Sequence, residues 1–308
     1  DQYVTASNTF IVKLKSFVDP NQNALAIMQG SLEALNLAPS GSQVRVIGPH
    51  GEVSLGGTEI NLPGNIHYVG ATDPIPKSPL EVKDYPTTGT IITNDRLNLS
   101  PNTTIENFVF DMRNTPTHFP VYWISIADES DVNISLLRNY FIGPKQNVGL
   151  GYGFVPISLG DRQEISHFVA EGNVIRDFDS GANINQPKSR WRRNIVMDCT
   201  YGFIANAGAD YGKVGDAGEN VFFNTPWYCI LFGSGGDYLL QYNYFYEAGK
   251  LETKLEDIIV QVDDDRTMTT TKSFKLNSVG ALQILPTQQT THPLFPENSS
   301  ARGWLMYE

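Results

Sequence analysis

No stretch of this chain approaches the ~20 apolar residues that a helix needs to cross a bilayer, so no membrane insertion is read from it. Two cysteines, Cys199 and Cys229, are too few for a disulfide framework and read as buried thiols. Charge is sparse at 18%, and 22 Lys and Arg against 33 Asp and Glu leave a net charge of −11. That sign argues against nucleic acid and anionic membrane surfaces, and more mildly against a highly anionic polymer. Residues 1–15 lack a basic start followed by a long apolar run, so no secretion signal is read there, and the chain reads as a mature or excised form. There is no P-loop, no dinucleotide fingerprint in a strand-to-helix setting, no HExxH, no CxxC pair and no GxSxG elbow. GLGYG at 149–153 has no helix after it and is a weak phosphate candidate. VDDDR at 262–266 reads as an exposed acidic turn, with calcium as the alternative.

Turn formers are plentiful. Gly contributes 27 and Pro 18 of the 308 residues, and aromatics make up 11%. This is the composition of a β-rich globular chain, long enough for one large domain or two ordinary ones. Four glycosylation sequons, at Asn98, Asn102, Asn133 and Asn298, read as chance in a sequence rich in Asn and Ser.

The organising signal is a repeat. NFVFDM starts at Asn107, NYFIGP at Asn139, NVIRDF at Asn173, NIVMDC at Asn194, NVFFNT at Asn220 and NYFYEA at Asn243. The spacings are 32, 34, 21, 26 and 23 residues. One short apolar strand recurs at irregular intervals with no helical periodicity between, which predicts a β-solenoid with loops of varying length. Each repeat resolves into three strands, as in FVPISLG, EISHFVA and NVIRDF over 154–178. Two places after each Asn stand Val109, Phe141, Ile175, Val196, Phe222 and Phe245, an apolar inward column. Alternation puts the six Asn on the same side, where their amides stack at a bend and bond the next coil. Asp111, Asp177, Asp198, Asn224 and Glu247 form a second column, read as a turn ladder.

Ahead of the repeats, Ala24, Ile27, Met28, Ser31, Leu32 and Leu35 are small or apolar at helical spacing. Asp19-Pro20 can start that helix and Pro39 to Gly41 end it. The expected organisation is an N-terminal arm and capping α-helix over 1–42, a parallel β-helix over 43–250, and C-terminal strands with an extended tail over 251–308.

DPNQNALAIMQGSLEAL, then VRVIGPHGEVSL, then LPGNIHYVGA, then the N-led coil repeats follow the order of the pectate-lyase-like right-handed parallel β-helix family. Over residues 17–250 the chain resembles most the tailspike depolymerases of bacteriophages, although Val53 stands where the family often has Tyr. The resemblance implies an all-β, right-handed parallel β-helix with three strands per coil and an N-terminal capping helix. It also implies recognition and cleavage of a bacterial surface or extracellular polysaccharide at an extracellular or virion surface. The family includes lyases, hydrolases, epimerases and non-enzymatic binders, so the fold alone does not choose among them.

Chemistry on such a scaffold is expected at the ends of the first strand of each coil, ISIAD, ISLGD, FIAN and ILFGS. Asp128 and Asp161 fall at matching places there, roughly 5 Å apart by strand spacing. Such a pair suits acid/base glycoside hydrolysis. Two other readings stay open: turn capping by both acids, and a calcium site completed by Glu129 and Asp131. No other cofactor or metal is expected. Asp179, in the turn RDFDSG, and Asp210, in the loop NAGADYGKVGDAGEN with Tyr211, Lys213 and Asp216, are the next acid candidates. The basic patch PKSRWRR supplies Lys188, Arg190 and Arg192, with Trp191 inward and both Arg outward; with Arg162 and Tyr211 they are the expected substrate contacts. The alternative for that patch is an ion-pair face against Glu171, Asp177 and Asp179. The rivals to hydrolysis are a metal-assisted lyase and a non-catalytic glycan-binding spike. Apolar residues such as Leu137, Val174 and Ile195 on an exposed side suggest a homotrimer.

Overall fold

The strands are short and rich in β-branched and aromatic residues, as in QVRVI, TIIT, FVFD and YGFIA, residues that fit a pleated, half-buried surface. A computed structural model describes residues 2–6, 9–13, 36–54, 59–71, 85–93, 96–114, 122–126, 133–144, 155–159, 167–184, 189–205, 209–212, 216–225, 228–232, 243–247, 250–251 and 259–262. Over these residues the chain is all-β, with parallel strands in three stacked sheets. The expected helix over 24–35 lies outside the described residues. Among those described, no helix is long and apolar enough to cross a membrane.

The first sheet runs Gln2–Ala6, Thr9–Lys13, Gln43–Ile47, Ile66–Val69, Thr103–Glu106, Asn133–Leu137, His167–Glu171 and Ser189–Arg192. The second contains Gly51–Ser54, Thr90–Thr93, Phe108–Asp111, Tyr140–Ile142, Val174–Arg176, Ile195–Met197, Val221–Phe223, Tyr244–Glu247 and Lys250–Leu251. The third contains Glu59–Leu62, Arg96–Leu99, Tyr122–Ile126, Val155–Leu159, Ser180–Ile184, Tyr201–Ala205, Tyr228–Phe232 and Ile259–Val262. From Gln43 to Arg192 the chain visits the three sheets in rotation, and each strand pairs in parallel with the strand three places earlier. Each circuit is one rung, ~4.8 Å from the next. Two strands of the N-terminal arm join the first sheet, and Ile259–Val262 extends the third.

One apolar core is shared by the three sheets. Trp191 of the first, Phe222 of the second and Phe203 of the third are all fully buried. Ring centroids lie 4.8 Å apart for Trp191 and Phe203, and 5.1 Å for Phe203 and Phe222. Rings also stack from rung to rung, as Phe110 does on Phe141 at 4.8 Å and 9°. Each such side chain contributes roughly 1.5–3 kcal/mol by burial.

The amide ladder is present, and its register corrects one rung. Asn139, Asn173, Asn194, Asn220 and Asn243 are buried. Each Nδ2 donates to the Oδ1 of the next Asn at 2.8–3.1 Å. That same Oδ1 also accepts the preceding Asn's backbone N–H at 2.9–3.2 Å. The second Nδ2 hydrogen goes to a carbonyl of the first-sheet side, from Ile105 O to Tyr211 O, at 2.8–3.0 Å. Asn107 is not part of it. Phe110 pairs with Phe141, so Phe108 takes the ladder place and its N–H caps the series on Asn139 Oδ1 at 3.0 Å. The inward residue of that rung is therefore Phe110 and not Val109. Asn107 stands one residue earlier, at φ 61, level with Arg138, Gly172, Arg193 and Glu219, which are also left-handed. This corner needs an αL residue in each rung, a conformation Asn tolerates better than most. The second corner uses Asp177, Asp198 and Asn224 at φ 63, 54 and 51, which bears out the turn ladder there; Asp111 is one residue out of it.

The outward side of the second sheet is not open. Val109, Tyr140, Ile142, Val174, Ile195, Met197 and Val221 form a buried apolar strip with Tyr85 packed against it. Val174 and Ile195, expected on an exposed side that a trimer would cover, are covered within the single chain. Leu137 is half-buried, and Leu37 is the exposed large hydrophobic among the described residues.

Candidate functional site

Among the described residues, the first sheet has no full strand after Ser189–Arg192. Part of the expected loop fills the place. Asp210 bridges in parallel to Arg190: its N–H donates to Ser189 O at 2.9 Å, and its carbonyl accepts Trp191 N–H at 2.9 Å. Gly218 then accepts Arg193 N–H at 2.8 Å. A Cβ on Gly218 would fall 1.7 Å from the Tyr211 carbonyl, so only glycine allows this approach. Tyr211 and Gly218 are thus brought side by side next to the last strand of the sheet.

Arginines hold Asp210 and Asp216 beside this approach. Arg192 is fully buried, and its guanidinium binds Asp210 Oδ1 at 2.9 Å, Asp216 Oδ2 at 2.7 Å and the carbonyls of Trp191 and Asp210 at 2.9 Å. Arg190, half-buried, binds Asp216 at 3.1 Å and Glu171 at 3.4 Å. Arg193 pairs with Glu171 and with Glu219. Farther along the same side, Glu106 pairs with Arg138 and with His67. Hydrogen bonds from Arg192 and then Arg190 hold the Asp216 carboxyl well below the usual carboxylate range. The hydrogen bond that Arg190 donates to Asp216 likewise raises the arginine.

The structure thus brings Arg190, Arg192 and Asp210 together, with Glu171 and Asp216 as partners. Trp191 points inward and Arg190 lies on the outer side, as alternation predicts. Two expected contacts change. Arg192 also leaves the sheet on the outer side but is buried under Asp210 and Asp216, so both its terminal nitrogens are already taken by the chain's own carboxylates and carbonyls. Tyr211 is fully buried, its ring 5.8 Å from that of Phe203, and presents no face to a sugar. The ion-pair reading of this patch is the one observed, with Asp210 and Asp216 as partners where Asp177 and Asp179 were expected. Nothing local in SRWRR signalled that a loop 18–24 residues later would close over it.

Asp179 is half-buried in a different corner, between Val174–Arg176 and Ser180–Ile184, where its carbonyl accepts Tyr201 N–H at 2.7 Å. Asp128, Asp161, Arg162 and Lys188 lie outside the described residues, as do Glu129 and Asp131 of the calcium alternative. The strands before the two leading acids are described, and Ile124 pairs with Ile157 there. Among the described residues, no three His, Cys, Asp or Glu are placed to hold a metal.

Compared with known proteins, the chain matches no family model, no curated protein and no solved structure.

Burial raises the Cys199 thiol far above its ordinary value, and the side chain is 1% exposed. A neutral, enclosed thiol is a poor nucleophile. Iodoacetamide should therefore leave Cys199 unmodified in the native protein and label it fully in urea, as read by peptide mass mapping. Rapid native labelling would show that this rung opens.

Proposed function

We propose that this chain is a right-handed parallel β-helix of three strands per coil, with a capping helix ahead of it, that binds and cleaves a bacterial surface or extracellular polysaccharide in the manner of a phage tailspike. The observation that carries this reading is the rotation of the chain through three parallel sheets in register, with Ile124 level with Ile157. We take that pairing to continue four residues further, which would put Asp128 and Asp161 on neighbouring rungs, roughly 5 Å apart by strand spacing. Two carboxyls that close do not ionise equally, so one serves as proton donor and the other as nucleophile or base. A separation of about 5 Å favours retention of anomeric configuration. Arg162 and Lys188 stay in the proposal as substrate contacts, with Arg190 at the margin of its ion-pair cluster. The proposed setting is extracellular or on a virion surface.

The test is product analysis on polysaccharides chosen by a glycan-binding screen. Asp161→Asn should lower cleavage at least ~100-fold, the lower range of a lost general acid or base, with binding retained. Unchanged cleavage would remove Asp161 from the mechanism. A product carrying a new ultraviolet-absorbing double bond would mean elimination, and binding without product would mean a spike that only recognises its glycan.

A further inference from the structure

Tyr85 lies in the irregular stretch 85–89 that leads into Thr90–Thr93. Its hydroxyl donates to Asp177 Oδ2 at 2.8 Å, across 92 residues of sequence. Two guanidiniums lie over its ring, Arg113 at 4.3 Å and Arg176 at 4.5 Å from the centroid. Both are anchored. Arg113 forks onto Asp111, and Arg176 binds Asp177 Oδ2 at 3.0 Å, Tyr140 Oη at 3.5 Å and Asp198 at 3.7 Å. The ring also packs on the apolar strip of the second sheet.

Strand spacing bounds the path of this stretch. Asp177 follows Val174–Arg176, which lies three strands along the sheet from Thr90–Thr93. Three spacings amount to ~14 Å. The five steps from Tyr85 to Thr90 cover at most ~17 Å when extended. The tyrosine side chain, its bond and the aspartate side chain bridge part of that span, and residues 85–89 supply the rest on the outer face, where the ring packs on the apolar strip. Pro86, with its φ fixed, suits an extended crossing. At the far end, Gly89 O accepts Gly51 N–H at 2.8 Å.

The anchor at Asp177 is unusual. Its side chain is buried and its backbone is left-handed, and Oδ1 has no hydrogen-bond partner while Oδ2 takes both Tyr85 and Arg176. Burial and then Asp177 raise the Tyr85 phenol above its ordinary value, which keeps it protonated and donating.

We infer that residues 85–89 are a strap closed over the outer face of the second sheet, with Tyr85 as its buckle and Asp177 as its catch. Released, the strap uncovers the apolar strip near Ile142 and loosens the corner whose next outward acid is Asp179. Closed, it ties four rungs together from outside while the core ties them from within.

Hydrogen exchange read by mass spectrometry on the full chain tests this with Tyr85→Phe and Tyr85→Ala. Tyr85→Phe keeps the ring and removes one bond to a carboxylate, so exchange in peptides covering 85–93 and 174–180 should rise about tenfold. Peptides from Val196 and Phe222 should not change. Tyr85→Ala should raise the same two regions further. If Tyr85→Ala unfolds the chain, Tyr85→Phe decides alone. Unchanged exchange in those two regions, or a rise spread evenly over the chain, overturns the strap.

Discussion

Asn194→Ala should destabilise the protein by about 4 kcal/mol in urea melts, as two or more buried polar groups each lose a partner at a cost of ~1–3 kcal/mol. Asn194 sits in the middle of the ladder. Its Oδ1 accepts from both the backbone N–H and the side-chain amide of Asn173, and its Nδ2 donates to Ala170 O and Asn220 Oδ1. Alanine strands the Asn173 backbone N–H and one of its amide hydrogens and takes a donor from Ala170 O, in a site that water does not reach, while Asn220 Oδ1 keeps the backbone N–H of residue 194. The comparison that gives this number meaning is Asn107→Gly. Asn107 shares the repeat motif but stands in the left-handed corner outside the ladder. Glycine accepts that conformation without strain, so the substitution should move stability by under ~1 kcal/mol. Equal effects for the two variants would show that the amide series does not carry the stability assigned to it.

Arg192→Met should cost about 3 kcal/mol, the lower end of what breaking a buried ion pair costs, because Asp210 and Asp216 are 20% and 29% exposed and can rehydrate. The loss should be local first, appearing as protease sensitivity between Tyr211 and Gly218. It should also depend on pH. Asp216 is held below its ordinary range by Arg192 and Arg190. A carboxyl lowered in the folded state stabilises the fold above its unfolded pKa, near 4 for aspartate, and loses that contribution as pH falls toward the lowered value. Wild type should therefore exceed Arg192→Met by a constant margin from pH 7 to about 5, and by a shrinking one below about pH 4. A margin that holds unchanged down to pH 3 would detach the stability from the Asp216 pairing.

These two sites also mark how far the sequence could be read. The Asn ladder was legible because each rung repeats the same four or five letters and each Asn does the same thing. The error at Asn107 has a physical origin: both the ladder place and the left-handed corner accept asparagine, so the letter alone does not say which of two adjacent positions it fills. Register settles it, since Phe110 must face Phe141. The Arg192 site was not legible. Alternation gives the side of the sheet, and Arg192 is on the outer side, yet burial there depends on a distant segment that takes the place of a missing strand. Tyr85 escaped for the same reason, as its partners Arg113, Arg176 and Asp177 are 28 to 92 residues away. Periodic features follow from local pattern; contacts made by excursions and straps depend on where the chain returns.

Consecutive ladder amides are separated by 34, 21, 26 and 23 residues, yet their contacts stay within 2.8–3.1 Å. The molecule is therefore tolerant of length between rungs and intolerant of length within them. A segment inserted between Ile142 and Val155 only lengthens a connection that is already long, whereas one residue added between Asn194 and Val196 would turn every inward side chain of that strand to the outside. Mutation can thus lengthen, shorten or replace the connections while the scaffold beneath stays the same.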